Sequence, residues 1–131
     1  MTRGAEVGDA PVAAGPGEVP RGDDDVVLDP DTRADALIAI RRALEEDLRY
    51  GPDATSLATV PEQARATALL ATRSDGIVAG LPLVEMVLAE VLGGDYEVTL
   101  LAADGDREAG GDVVAEISAP TRGLLTAERT L

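Results

Sequence analysis

The chain has 131 residues, 45% of them hydrophobic, with 25 acidic against 11 basic residues and a formal net charge of -14. That length suits one domain plus a tail, and with no Phe or Trp the core has to be built from Leu, Val, Ile and Ala. The acidity excludes nucleic-acid binding by phosphate neutralisation, and the lack of Cys, His and Lys excludes disulfides, thiol or imidazole catalysis, Schiff bases and Cys/His metal sites.

No apolar run approaches the roughly 18 residues needed to cross a bilayer, and the N-terminus lacks the pattern of a secretory signal. A cytoplasmic protein without membrane contact is expected. Residues 1–30 are rich in Gly, Pro and acid, including Asp23-Asp24-Asp25, and read as a disordered tail that serves as a solvated spacer.

Thr32 followed by Asp35 resembles a capping box, and Leu37, Ile40, Leu44 and Leu48 then recur at helical spacing. Gly51-Pro52 ends this helix, and residues 53–61 form an ordered connection in which Asp53 and Thr55 bond nearby backbone. Residues 64–73 predict a strand partly covered on both faces, Ser74-Asp75-Gly76 a turn, and Ile77-Val78-Ala79 a short second strand. Leu81, Val84, Leu88, Val91 and Leu92 mark a second helix, stopped by Gly93-Gly94.

Residues 96–102 and 112–118 predict two more strands, separated by a turn at Asp104-Gly105. Pro120 breaks the last strand, Thr121 caps a final helix, and Leu124, Leu125, Glu128 and Leu131 trace that helix still running at the last residue. No internal repeat stands out. The fold class is α+β: an open-faced sandwich over residues 31–120, with an antiparallel sheet of about four strands and helices packed on one face. Residues 121–131 start a helix that leads onward, so a further domain is expected beyond it.

Few residues here invite chemistry. Glu45-Glu46-Asp47 point in different directions on a helix and read as a solvated face, and the scattered glycines lack the strand-to-helix pattern and the Lys of a phosphate loop. Arg122 and Arg129, seven residues apart, fall near one helical face, where they either pair with Glu residues or receive an anionic ligand.

Five blocks appear in the order and spacing of one family: Ala43-Leu44-Glu45-Glu46-Asp47-Leu48, then Gly51-Pro52-Asp53-Ala54-Thr55, then Gly76-Ile77-Val78-Ala79-Gly80-Leu81, then Asp104-Gly105-Asp106 with Gly111-Asp112, and finally residues 122–131, Arg-Gly-Leu-Leu-Thr-Ala-Glu-Arg-Thr-Leu. From about residue 33 onward the chain resembles the N-terminal domain of quinolinate phosphoribosyltransferase, the carboxylating nicotinate-nucleotide pyrophosphorylase. Ala54 replaces the family's usual larger branched residue, and Pro52 interrupts its commoner Gly-Asp step.

The resemblance implies an N-terminal sandwich followed by an α/β barrel that this chain does not contain. It implies conversion of quinolinate and phosphoribosyl pyrophosphate to nicotinate mononucleotide, pyrophosphate and CO2, with Mg2+ bound by the barrel. It further implies a homodimer in which each front domain covers the neighbouring barrel. By position, Arg129 matches the substrate-binding arginine that reaches a quinolinate carboxylate across that interface, and Arg122 is a secondary anion contact. No catalytic residue and no metal ligand falls within the chain. The other readings are a related transferase of the molybdate-transport type and a hairpin-based binding module; for the latter, the chain has no Lys to carry biotin or lipoate.

Overall fold

A computed structural model describes residues 27–49, 51 and 54–131, with side chains placed except at 54 and 55. Most of the expected acidic tail and the Pro52-Asp53 step lie outside these residues, as do the side-chain roles expected of Asp53 and Thr55.

The first helix, α1, spans Pro30–Asp47 and is capped by Asp29 rather than by the expected Thr32. Asp29 Oδ1 accepts from the backbone N–H groups of Asp31 and Thr32, each at 3.0 Å, and Thr32 Oγ1 donates to Asp29 Oδ2. Pro30 follows the cap at a position where its missing N–H costs nothing. Ile40 and Leu44 are buried, whereas Leu48, expected on the same apolar face, is the C-cap residue and is 43% exposed. A short helix α2, Ala54–Thr59, occupies the expected connection.

Next come β1, Arg65–Ala71; β2, Gly76–Ile77; helix α3, Leu81–Leu92; β3, Glu97–Leu100; β4, Arg107–Glu108; β5, Val113–Pro120; and helix α4, Thr121–Ala127. All strand pairs are antiparallel, and the strands divide into a three-stranded sheet of order β1-β5-β3 and a separate β2-β4 ribbon. β4 has no counterpart among the expected strands. It forms because residues around Arg107 pair with Gly76 and Ile77, a long-range match that local alternation does not reveal.

Pro120 ends β5 without breaking it short, because it stands at the strand's last position opposite Arg65. Ala66, Ala68 and Leu70 of β1 pair with Ala119, Ile117 and Ala115 of β5 and form the inner face. The other face of β1 is open, with Leu69 60% exposed, so β1 is covered on one side only. Ile117, Ala119 and Val114 join Leu81, Val84, Val87 and Leu88 of α3, Ile40 and Leu44 of α1, and Leu124 and Ala127 of α4 in one aliphatic core. α3 is buried well beyond its expected stripe, Met86 and Val87 included, because α1 and α4 both pack against it.

Against the expectation of no internal repeat, a short one is present. Ala103-Asp104-Gly105-Asp106 and, six residues later, Ala109-Gly110-Gly111-Asp112 form the same turn. In each, the Ala carbonyl accepts from the Asp N–H at 3.1 Å and the Asp carboxylate accepts from the Ala N–H, at 2.9 and 2.8 Å. Gly105 and Gly111 carry φ of +96° and +99°, a conformation that excludes an ordinary side chain. Each turn then grips the opposite segment through two backbone bonds, the first to Val78 and the second to Thr72.

Candidate functional site

α4 and the turn after it carry the candidate residues. The helix enters from β5 through Pro120 without a side-chain cap. Thr121 is its first helical residue, not its cap, and the Thr121 N–H donates to the Ala64 carbonyl at 2.8 Å. Leu124 and Ala127 bury one side of α4. The helix ends at Ala127, and residues 128–130 form a turn, so the regular helix expected to run to residue 131 stops four residues earlier. Backbone bonds from Glu128 to Leu124 and from Thr130 and Leu131 to Ala127 keep that turn wound on the helix end.

Arg122 is half-buried and points back to α2. Its Nε donates to the Val60 carbonyl at 2.9 Å and its Nη2 to the Leu57 carbonyl at 3.1 Å. A guanidinium suits this place because the last carbonyls of a helix lack partners and favour positive charge. Arg129 is exposed and makes no ion pair or side-chain hydrogen bond with any described residue. The surface ion pairing that spacing allows is therefore formed by neither arginine among the described residues. The two are not brought to a common acceptor, since Arg122 is turned inward to backbone and Arg129 outward to solvent.

Glu45 and Glu46 are exposed, as a solvated face requires, but Asp47 is half-buried and its Oδ2 accepts from Thr130 Oγ1 at 3.5 Å. Among the described residues no group of three or more carboxylates converges as a metal site would require. Beside α4 lies an open apolar groove of about 280 Å³, lined by Ala68, Leu69, Leu124, Leu125, Glu128 and Leu131 among others.

The glycine blocks serve structure rather than phosphate binding. Gly80, at φ +96°, is the N-cap of α3, and the two oxygens of Asp104 accept from Gly80 N and Leu81 N, each at 2.9 Å. Asp104 thus supplies from the far hairpin the cap that Gly80 lacks a side chain to provide. Gly110 N donates to Asp75 Oδ1 at 2.9 Å, closing the second turn in the same manner. Sequence reasoning missed the parts played by Asp104, Asp75 and Asp47. The one signal available was the recurrence of Ala-x-Gly-Asp at 103–106 and 109–112.

The family model described as quinolinate phosphoribosyl transferase, N-terminal domain, matches residues 53–131, a span that includes α2, the whole sheet, α3, α4 and Arg129. The chain belongs to this family and corresponds to its N-terminal domain. It is 47% identical over 93 residues to the nicotinate-nucleotide pyrophosphorylase [carboxylating] of Mycobacterium leprae, covering 70% of this chain and 33% of that protein. It is 32% identical over 97 residues to the chloroplastic protein of the same name from Arabidopsis thaliana, covering 74% of this chain and 28% of that one.

Among solved structures, NadC from Streptococcus pyogenes superposes with a TM-score of 0.69 at 29% identity, over 80% of this chain and 36% of that one. The nicotinate-nucleotide pyrophosphorylase from Francisella tularensis gives 0.65 at 27% identity, over 82% and 37%. The chain therefore spans about a third of the length of the relatives it matches. No described helix is long and apolar enough to cross a membrane.

Proposed function

We propose that this chain is the substrate-covering front domain of an enzyme that makes nicotinate mononucleotide, CO2 and pyrophosphate from quinolinate and phosphoribosyl pyrophosphate, and that Arg129 is its contact with quinolinate. The observation that carries this reading is an exposed, unpaired guanidinium at the end of α4, inside the stretch that matches the family. Quinolinate presents two adjacent carboxylates, and a planar guanidinium holds one of them through two parallel N–H···O bonds. Arg129 thereby orients the pyridine ring and balances its charge while the ring nitrogen attacks the ribosyl carbon and pyrophosphate leaves. Loss of the carboxylate next to the nitrogen then yields CO2. Alignment and fixed charge are the domain's share of the catalysis.

Arg122 enters only as a secondary positive charge. Its Nε and Nη2 are taken by the Val60 and Leu57 carbonyls, so only Nη1 is left without a hydrogen bond to a described residue. The residues of this domain do not fit a Mg2+ site, having no convergent carboxylates among those described, and no step here is routed through the metal. A homodimer agrees with the open apolar groove beside α4 and with an Arg129 whose side chain bonds to no described residue of its own domain. We place the protein in the cytoplasm, noting that its plant relatives are named as chloroplastic or mitochondrial.

The test is quinolinate-dependent release of pyrophosphate by the subunit completed to the length of its relatives. Equimolar CO2 and pyrophosphate support the reading. A completed protein that releases neither contradicts it.

A further inference from the structure

Asp47 ends α1, Thr130 follows α4, and the two side chains meet across the fold, Thr130 Oγ1 donating to Asp47 Oδ2 at 3.5 Å. Of three consecutive carboxylates, Glu45 and Glu46 face solvent and Asp47 alone is half-buried. Thr130 is half-buried as well, between the exposed Arg129 and the exposed Leu131. This is the only side-chain hydrogen bond that residues 128–131 make with described residues.

The backbone bonds of the turn all return to α4, at Leu124 and Ala127. They set its local winding but do not tie it to any other element. The bond to Asp47 supplies that tie, one residue from Arg129. At 3.5 Å it is longer than an ordinary O–H···O bond and therefore weak.

We propose that Asp47 is a positioning residue for Arg129, acting through Thr130. This rests on the reading of Arg129 as the quinolinate contact. A bidentate guanidinium discriminates only if its plane is aimed within about 10–20° of the carboxylate. With Thr130 anchored to α1, the peptide bearing Arg129 has one direction relative to the domain. Without that anchor the peptide is held less firmly relative to α1, and the entropy of fixing it falls on substrate binding. On this reading Asp47 acts only through Thr130, so its removal weakens quinolinate capture without altering the ribosyl donor's site.

The experiment uses the completed subunit with Thr130→Val, Thr130→Ser, Asp47→Ala and the double variant Asp47→Ala/Thr130→Val, beside Arg129→Ala. Thr130→Val and Asp47→Ala each raise KM for quinolinate about three- to tenfold, with kcat and KM for phosphoribosyl pyrophosphate within about twofold of wild type. The double variant is no worse than either single one, and Thr130→Ser recovers the wild-type KM. An unchanged quinolinate KM in Thr130→Val overturns the proposal. So does a parallel rise in both substrate KM values, or multiplication of the two single effects. Arg129→Ala separates the two levels: if it leaves quinolinate KM unchanged, the role of Arg129 itself fails. If it raises that KM while the Asp47 and Thr130 variants do not, only the positioning claim fails.

Discussion

Gly123 of α4 lies directly against Leu92 at the end of α3, so closely that a Cβ on Gly123 would stand 2.0 Å from Leu92 Cδ2 and 2.9 Å from its Cγ. This contact sets the approach of the helix that carries the candidate site. Gly123→Ala forces the Leu92 side chain to move, and with the helix preference for Ala offsetting part of the overpacking it should cost at most about 1–2 kcal/mol of stability. Thermal melts of Gly123→Ala, Leu92→Ala and the double variant check it. The double variant should lose less than the sum of the two, because the smaller residue makes room for the added methyl. Strict additivity would mean that the helices do not meet at this pair.

Asp104 caps α3 from another part of the chain with both carboxylate oxygens. Asp104→Ala strands two N–H groups at the head of the most buried helix and should lower stability by about 1–2 kcal/mol. On a domain of this size that is a fall in Tm of roughly 4–8 °C for each kcal/mol lost. Asp104→Asn keeps an acceptor and should recover part of the loss. If Asp104→Ala melts with the wild type, the cap is not formed in solution.

Two carboxylates link the fold to pH. Hydrogen bonds from the Thr32 side chain and backbone hold Asp29 below its ordinary 3.8, and the Arg41 guanidinium holds Glu90 below 4.5. Both folded values are depressed, so their contribution is fully present above those ordinary values. It is lost as the pH falls below them and through the lower folded values. The Arg41–Glu90 pair, at 2.9 Å between Nε and Oε2, is exposed, so its effect is small and weakens with salt. Melts from pH 7 downward should show Glu90→Gln less stable than wild type at neutral pH, with the gap closing below about pH 4. A gap that persists at the acid end would assign the loss to packing rather than to charge.

The apolar spacing of α1 and α3 and the alternation of the strands were legible because each is a local pattern. Ile40, Leu44, Val84, Leu88 and Ile117 all reach the core that those periods imply. Boundaries shifted wherever a cap competes with a neighbour: Asp29 lies before Pro30 and takes the role that Thr32 had the chemistry to fill. β4, the Asp104 cap and the Arg122 clamp escaped because their partners lie 23 to 65 residues away. The candidate site was legible in part. The block at 122–131 pointed to Arg129, but the spacing that placed Arg122 beside it could not reveal that Val60 and Leu57 carbonyls claim that guanidinium first.

The role of Arg129 is tested most directly by the quinolinate dependence of pyrophosphate release by the completed subunit with Arg129 changed to Ala and to Lys. Loss of a bidentate charged contact predicts a fall of about a hundredfold in kcat/KM for quinolinate in Arg129→Ala. Arg129→Lys, which keeps the charge without the planar fork, should fall between that variant and wild type. If Arg129→Ala retains the wild-type kcat/KM for quinolinate, the substrate contact assigned to the end of α4 is wrong.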